Sequence, residues 1–516
     1  GMGKFFASYN MDHLHNIQDN YIRITRDVSD AYDALVLEEQ FASRKRLNAV
    51  QKEAYRAVLK NVRDDTSGAY FIDGPGGTGK TFLHGALYAK VRSMDKICLA
   101  TITSGIAASN LLAGRTAHSR FKIPIDLEEA LTCNVPKQGS FARLLREASL
   151  IIWDEASIAK KEDIEAVDML LQDVCSNTCP FGDKDFLIAG DFRQMLRVLP
   201  RKTQREAVEA SIVSSYLWPK LIKFHLTENI RATANPEFSK FLLNLGNGCL
   251  QTEENGFVML PQQLILKPSP NKRPEETLID AVFPEVKQPG FSSDIFTKRA
   301  ILTPCNNDVD EINVILIDKF PGGVHLYRSF DSVIDDHSNV YPAEFLNSLC
   351  PPGMTPHQLV LKENSPVILL RNLDPSAGLC NGTRLVCKRF TPNVIECEIS
   401  NGFYMGERVF LPRITLRPSK SSRFPINFER KQFPIKLSFA MTINKAQGQT
   451  LQRVGIYFPR PCFYHGQLYV ALSRARTASE VKVMHESDSA NNNVGNVGKG
   501  WFSCSCPTTV VTVAYL

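Results

Sequence analysis

The 516-residue sequence lacks any long hydrophobic run. No stretch approaches the roughly 20 apolar residues that a membrane-spanning helix needs, so we expect no membrane partner. The first residues also lack the pattern of a secretory signal peptide, because Asp12 and Asp19 occur early and no apolar segment follows them. The sequence therefore disfavours a membrane protein and a secreted protein.

Paired cysteine spacings and a strong charge imbalance are missing as well. The 13 cysteines are scattered, without a disulfide framework or the two close pairs of a zinc site, so we expect reduced thiols in an intracellular protein. The net charge of +6 allows a nucleic-acid partner without demonstrating one. The length leaves room for about two to four domains.

The sequence does contain a glycine-rich loop that ends in a lysine. Residues Gly74–Thr81 fit the phosphate-binding pattern G-x-x-x-x-G-K-[ST], between an apolar strand at Ala69–Ile72 and helical spacing at Phe82–Val91. These flanks favour a functional loop over a chance glycine turn. Lys80 would reach the β- and γ-phosphates, and Thr81 would hold Mg²⁺. We therefore predict a nucleoside triphosphate site formed by Gly74, Pro75, Gly76, Gly77, Thr78, Gly79, Lys80 and Thr81.

Two further strands end in polar residues. Leu150–Trp153 leads into Asp154, which we expect to hold Mg²⁺, and Glu155, which we expect to orient and deprotonate the attacking water. Phe186–Ala189 leads towards Gln194, which we expect to contact the γ-phosphate or the water. Because carboxyl ends of parallel strands meet at one edge, these residues predict a hydrolytic site on an α/β sheet.

The remaining chain changes character towards its end. Short β-like runs between 341 and 432, with turns at Asn381-Gly382 and Asn401-Gly402, predict a small β-barrel inserted into a second core. Helical spacing is expected to return at Leu437–Thr450. The predicted domains are an N-terminal helical extension at 1–45, a first core at 46–222, a second core at 223–340 and 433–486, the insertion at 341–432, and a disordered tail at 487–516.

The motifs together resemble those of superfamily-one helicases. More closely, they are similar to the petite-integration-frequency (PIF-type) DNA helicases and their relatives in Helitron transposons, over about residues 45–485. The motifs that carry this resemblance are Leu47–Gln51, Gly74–Thr81, Asp154-Glu155, Gly190–Gln194, Leu226–Arg231, Thr442–Gly448 and Tyr469–Arg474, with Phe463–Val470 for the transposon relatives.

The resemblance implies an α/β fold with two RecA-like P-loop NTPase domains, ATP between them, and 5′-to-3′ movement on single-stranded DNA. It also implies a wedge at about 115–135 and a Src-homology-type barrel as the insertion. Arg231 and Arg474 would meet the γ-phosphate from the second core, and Gln51 would read adenine. The residues that would contact DNA are Thr103, Thr116, His118, Phe121, Thr303, Thr442 and Lys445.

The expected activity is that of an ATP- and Mg²⁺-dependent helicase, acting as a monomer on single strands and junctions. DNA repair, recombination and telomere maintenance in the nucleus or mitochondrion would follow for a eukaryotic source. Two alternatives stay open, namely an NTP-dependent switch and a transposon-derived DNA-binding scaffold without unwinding. The sequence departs from the family at Arg197, where proline is usual, and at Asn444, where histidine is frequent.

Overall fold

The computed structural model describes most of the two expected cores. The described residues are 44–105, 114–124, 132–194, 204–230, 235–250, 257–287, 294–334, 341–351, 353–418, 426–459, 466–485 and 501–503. The predictions for Arg231, Arg197, the extension at 1–43 and most of the tail lie outside this set. Among the helices in the described ranges, none is long and apolar enough to cross a membrane.

Strands and helices alternate through much of the chain. The strands are β1 Ala69–Asp73, β2 Ile97–Ile102, β3 Arg115–Thr116, β4 Ala148–Asp154, β5 Asp185–Gly190, β6 Ile222–His225, β7 Phe257–Met259, β8 Arg299–Thr303, β9 His325–Arg328, β10 Phe330–Val333, β11 Gln358–Leu361, β12 Pro366–Leu369, β13 Arg384–Phe390, β14 Val394–Ile399, β15 Arg408–Pro412, β16 Ile414–Leu416, β17 Phe428–Gln432, β18 Ile435–Leu437, β19 Ala440–Thr442, β20 Arg453–Phe458, β21 Val481–His485 and β22 Trp501–Ser503. The helices are α1 Ala49–Asp64, α2 Lys80–Arg92, α3 Ala117–Phe121, α4 Ser140–Glu147, α5 Lys161–Cys175, α6 Gln204–Glu209, α7 Pro236–Gly246, α8 Pro274–Val282, α9 Asp294–Thr297, α10 Asn306–Lys319, α11 Ala343–Ser348 and α12 Gln467–Leu472.

The first core is a six-stranded parallel sheet with helices on both faces. Its strand order is β3-β2-β4-β5-β1-β6. Side chains alternate across each strand, so Ile72 packs towards α1 and α2 while Phe71 packs towards the opposite face. Burial on both faces explains the continuous apolar runs in these strands. The carboxyl ends of β1, β4 and β5 consequently lie side by side.

The second core is a smaller parallel sheet with the order β19-β8-β20-β21. Helices α8 and α10 cover one face, and α7 and α12 cover the other. The helix predicted at Leu437–Thr450 is wrong. Residues Ala440–Thr442 instead pair in parallel with Ile301–Thr303, and only a 3₁₀ turn at Ile443–Ala446 follows. Pairing with a buried neighbouring strand outweighs the local helical spacing of this segment.

The inserted region is β-rich, as predicted. Its main sheet is antiparallel with the order β15-β14-β13-β12-β18, beside a three-stranded sheet β10-β17-β16 and a pair β11-β9. No pairing among the described residues closes the five-stranded sheet, so the barrel stays a prediction. Asn381-Gly382 and Asn401-Gly402 lie within longer connections at 370–383 and 400–407, not in two-residue hairpins. Pairing of β9 and β10 with later strands moves the start of the insertion to about residue 325.

Candidate nucleotide site

The glycine-rich loop joins β1 to α2 with the geometry that the motif requires. Gly77 and Gly79 have φ of 95° and 80°, in the left-handed region that favours glycine. A Cβ on Gly79 would also lie 2.7 Å from Gln51 Nε2. Lys80 is buried and donates a hydrogen bond to the carbonyl of Gly74 across the loop. Its ammonium is thereby held over the loop, where phosphates would bind.

A cavity of about 360 Å³ lies beside this loop and is lined by both cores. The first core contributes the loop, the carboxylates at the end of β4, and Gln194. The second core contributes Gly448 and Arg474. The lining residues are Arg46, Pro75, Gly76, Gly77, Gly79, Lys80, Thr81, Phe82, Ile102, Asp154, Glu155, Gln194, Ile230, Gly448 and Arg474. The structure thus brings together the described catalytic residues that the sequence predicted.

Asp154 lies at the end of β4 in a setting that favours the carboxylate. Burial opposes ionisation, but His84, whose Nδ1 lies 3.3 Å from Asp154 Oδ2, and Lys80 together lower the pKa of this carboxyl. The backbone N–H of Glu155 also donates to Asp154 Oδ1 at 2.8 Å. Asp154 is therefore ionised at neutral pH, in the form that could bind a cation through its oxygens.

Glu155 differs from its neighbour in geometry and in protonation. Its backbone is left-handed, with φ of 53°, and the residue lines the cavity. Burial and the adjacent Asp154 carboxylate raise the pKa of Glu155 to about 7. Its Oε2 is buried and has no hydrogen-bond partner among the described residues. A carboxylate with these properties can accept a proton from water.

The cavity also fits a magnesium ion chemically. The Thr81 hydroxyl and the Asp154 carboxylate line the same space, and hard oxygen ligands of this kind suit Mg²⁺. Within the described ranges, no group of three His, Cys, Asp or Glu side chains forms a cage for a metal. Mg²⁺ commonly binds through one or two protein oxygens together with substrate phosphates, so this sparse donor set is compatible with it.

Arg474 reaches the site from the second core, just after α12. It is buried, and its guanidinium donates to the carbonyls of Val470, Ala446 and Gln449 and to the hydroxyl of Ser473. Burial lowers the pKa of Arg474, although the nearby Glu155 opposes that shift. These contacts fix the arginine against its own core with its Nη2 facing Gly76 of the loop.

Gln51 has a different position from the one predicted. Its amide oxygen accepts from the Asn48 N–H at 3.0 Å, and its Nε2 donates to the Thr78 carbonyl at 2.9 Å. The side chain is fully buried and is not part of the cavity lining. The adenine-reading role therefore stays a prediction. Gln51 belongs to a capping box that begins α1 and ties this helix to the phosphate-binding loop.

Four of the residues predicted to bind DNA lie at the carboxyl ends of strands in the two sheets. Thr103 follows β2, Thr116 ends β3, and Thr303 and Thr442 are paired neighbours at the ends of β8 and β19. Several are held by the protein itself. Thr103 Oγ1 accepts from Trp153 Nε1 at 3.0 Å, and Thr303 Oγ1 donates to Asp308 at 3.1 Å.

The other three residues predicted to contact DNA differ in their exposure. His118 is partly exposed, 3.9 Å from Asp163, and Lys445 is partly exposed with a pKa that burial lowers. Phe121 is fully buried and packs against Trp153 with ring centroids 5.8 Å apart. Its predicted contact with DNA is wrong, because a ring without exposed surface supports the core rather than stacking on a base.

Sequence reasoning assigned no role to four residues that shape the site. His84 contacts Asp154, while Asp191, Gln447 and Tyr469 form hydrogen bonds across the two cores. Gln447 and Tyr469 lie inside motifs that were recognised, but only the folded chain shows which atoms they contact. For His84, helical spacing alone could have placed its side chain one turn after Lys80.

Comparison with known proteins gives the family. Residues 46–256 match the model of the PIF1-like helicases, and residues 344–390 match that of the 2B domain of the DNA helicase Pif1. Together the two matches cover half of the sequence. The chain belongs to the PIF1-like helicase family. The 2B match falls on the β-rich insertion of this PIF1-like chain.

Its relatives include proteins named ATP-dependent DNA helicase PIF1. That of Xenopus laevis is 28% identical over 422 residues, which are 80% of this chain and 58% of the relative. That of Homo sapiens is 26% identical over 450 residues, which are 86% of this chain and 61% of the relative. This PIF1-like chain therefore spans only about three fifths of the length of these relatives.

Solved structures of Pif1 proteins share the fold. The structure of Bacteroides Pif1 bound to ssDNA is similar with a TM-score of 0.59 and 23% identity, over 85% of this chain and 92% of that one. Pif1 helicase from Candida albicans is similar with a TM-score of 0.58 and 22% identity, over 86% and 95%. The likeness agrees with the two RecA-like domains predicted from the motifs.

Proposed function

We propose that this PIF1-like chain is an ATP-dependent DNA helicase that moves 5′ to 3′ on single-stranded DNA and separates duplexes. The observation that carries the proposal is the cavity itself. It holds a phosphate-binding loop and two carboxylates from one core, and an arginine from the other. A nucleotide in such a cleft would bind the two cores together, and hydrolysis would release them.

The chemistry assigns a step to each residue. Lys80 and the loop amides bind the phosphates, and Glu155 takes a proton from the attacking water. Arg474 stabilises the charge that develops on the γ-phosphate in the transition state. The family resemblance gives Arg231 the same role. Mg²⁺ held by Thr81 and Asp154 would supply further charge neutralisation on the phosphates.

The DNA side of the proposal rests on the arrangement of strand ends. Thr103 and Thr116 follow the first sheet, and Thr303, Thr442 and Lys445 follow the second. Alternating grip by the two cores would then move the chain along a strand. Contacts of this kind go to the DNA backbone, so binding would be sequence-tolerant and sensitive to salt. We further propose a monomer that acts on single strands and junctions, in the nucleus or mitochondrion if the source is eukaryotic.

The relatives support this proposal by their names. Those of Xenopus laevis and Homo sapiens are named ATP-dependent DNA helicases. One solved Pif1 structure concerns DNA unwinding at forked dsDNA by two coordinating Pif1 helicases. Each of the two alternatives is disfavoured by one set of residues. The polar residues at strand ends of both cores argue against a switch that does not move along DNA. The described hydrolytic residues, which share one cavity, argue against a DNA-binding scaffold without turnover.

ATP turnover with and without single-stranded DNA separates these functions. For a helicase we expect DNA to raise the turnover of the wild type by about tenfold or more, and added salt to weaken this stimulation by displacing DNA. Lys80→Ala should show neither basal nor stimulated turnover. Turnover that ignores DNA would favour the switch, and DNA binding without turnover would favour the scaffold.

A further inference from the structure

A buried group of polar side chains joins the two cores behind the nucleotide cavity. We define this interface cluster as Asp191, Arg193 and Gln194 of the first core with Asn247, Gln447 and Tyr469 of the second. Among the described residues, three hydrogen bonds between members of the cluster cross the interface. Tyr469 donates to Asp191 Oδ2 at 3.1 Å, Gln447 Nε2 donates to Gln194 Oε1 at 2.8 Å, and Arg193 Nε donates to Asn247 Oδ1 at 2.7 Å.

Tyr469 is the member of the cluster that also touches the phosphate-binding loop. Its hydroxyl accepts a hydrogen bond from the backbone N–H of Gly76 at 3.0 Å. Gly76 lies on the same side of the loop as Arg474 and lines the cavity. The hydroxyl of Tyr469 therefore has two partners in the first core. One is a loop amide that would face phosphate, and the other is the carboxylate of Asp191.

Asp191 connects Tyr469 to Gln194 by accepting a hydrogen bond from each of them. Its Oδ2 accepts from both Tyr469 and Gln194 Nε2, the latter at 3.2 Å, and the opposite end of the Gln194 amide is held by Gln447. Asp191 is fully buried, and its Oδ1 accepts from Arg193 Nη1 at 3.2 Å and from the Arg193 N–H at 3.1 Å, so Tyr469 and Gln194 serve its Oδ2. The orientation of Gln194 in the cavity is thus fixed by two contacts that both lead to the second core.

Packing around the phenol leaves it little freedom. Tyr469 is buried, and burial together with Asp191 raises the pKa of its hydroxyl well above the ordinary value, so it stays protonated and able to donate. Gly246 lies against the ring. A Cβ there would be 3.0 Å from Tyr469 Cε2 and 3.1 Å from Arg193 Cβ. A hydroxyl held in this way can transmit a small change at the loop.

We propose that Tyr469 is a positioning residue for ATP hydrolysis, which links the state of the phosphate-binding loop to the orientation of Gln194 through Asp191. The inference rests on the proposed function. A γ-phosphate would take the Gly76 amide, and the hydroxyl would keep its bond to Asp191. Loss of the hydroxyl leaves Asp191 with one donor fewer and loosens Gln194, without removing any group that binds the nucleotide.

The test is Tyr469→Phe, with ATP turnover measured against ATP concentration at saturating single-stranded DNA. We expect kcat to fall at least tenfold while KM for ATP stays within about twofold, because positioning and not binding is lost. Tyr457→Phe is the matched control. Tyr457 is a buried tyrosine on the other face of the second core, and its hydroxyl donates to Glu275 at 2.9 Å. That variant should retain wild-type kcat and KM.

Gln447→Ala provides a second test of how the Gln194 amide is positioned. It removes the other contact of Gln194, so it should also lower kcat selectively, and the double variant should lose less than the product of the two single losses. Should Tyr469→Phe not fold, the selective kcat loss of Gln447→Ala carries the test. If DNA stimulates the wild type but both variants have the wild-type kcat, the inference is overturned and the proposed function is not. A wild type without stimulation would overturn the proposed function, and the inference with it.

Discussion

The two cores share an architecture but not a chemistry. Each is a parallel sheet with helices on both faces and threonines at its strand ends. The first core carries Lys80, Asp154 and Glu155, whereas the second contributes Arg474 to the same cavity and Tyr469, which accepts from the Gly76 N–H of the loop. The nucleotide site is therefore complete only where the cores meet. An asymmetric site of this kind ties the chemical step to the relative position of the two cores.

From the comparison of the two cores, we expect the largest effect of a substitution on ATP turnover in the first core. Lys80→Ala removes the only lysine among the described residues that line the cavity, so we expect ATP turnover to fall by about 1000-fold and nucleotide binding to weaken with it. Turnover and equilibrium binding of a fluorescent ATP analogue would measure both. Lys90→Ala, near the other end of α2, should behave as the wild type. Equal losses in the two variants would contradict the assignment.

A substitution in the second core should separate hydrolysis from binding. Arg474→Lys keeps a positive charge but loses the planar guanidinium that Val470, Ala446 and Gln449 hold in place. We expect kcat to fall by about 100-fold while the affinity for nucleotide changes by less than about threefold. Arg476→Lys, at an exposed position two residues later, serves as the control. A large loss of affinity with unchanged kcat would place Arg474 in ground-state binding.

The second core should also depend on its insertion. Arg384 of β13 is fully buried and donates to the carbonyls of Phe296, Thr297, Arg299 and Ser438, all of which lie outside the five-stranded sheet. Because these carbonyls would lose their donor, Arg384→Met should lower the free energy of unfolding by about 3 kcal/mol. Denaturant titration would measure this loss.

Arg389→Met is the control for that prediction, because Arg389 lies on the same strand with a side chain that is 81% exposed. It should change the stability by less than about 0.5 kcal/mol. Similar effects of the two substitutions would mean that Arg384 does not anchor the insertion to the second core.

The smallest expected effect concerns the opposite end of the first sheet. Asp185, at the start of β5, is buried, and burial raises the pKa of its carboxyl to about 7. The folded state thus prefers the protonated form, and the stability that this form contributes is lost as the pH rises from about 4 through 7. Asp185→Asn should escape this loss. Its unfolding free energy relative to the wild type should rise by about 2 kcal/mol between pH 5 and pH 8.

Thermal or denaturant unfolding at the two pH values would check this prediction. Asp95→Asn, at an exposed position in the turn before β2, should show the same difference from the wild type at both pH values. A pH-independent effect of Asp185→Asn would show that the carboxyl is ionised in the folded protein throughout this range.

The sequence predicts the first core better than the interface. Gly74–Thr81 and Asp154-Glu155 are local patterns whose backbone context is contiguous, so strand, loop and helix follow from neighbouring residues. The segment at Leu437–Thr450 was misread because its partner strand, Ile301–Thr303, lies far away in the chain. Tyr469 shows the same limit, since its partners Gly76 and Asp191 come from the other core.

Burial also decides roles that residue type alone leaves open. Phe121 and Gln51 have side chains suited to a base, yet both are fully buried and serve the packing and the helix cap. Thr303 and Thr442 lie at neighbouring strand ends, which the helix predicted at Leu437–Thr450 did not anticipate. Residue type therefore predicted the chemistry of the site, and only the fold shows which side chains reach its surface.

Strand displacement tests the central claim most directly. A duplex with a 5′ single-stranded tail and one with a 3′ tail would be offered to the wild type and to Lys80→Ala, with ATP and Mg²⁺. We expect ATP-dependent displacement from the 5′ tail by the wild type only. Displacement from the 3′ tail alone would contradict the direction, and the absence of displacement from either tail would contradict the claim that hydrolysis between the two cores drives unwinding.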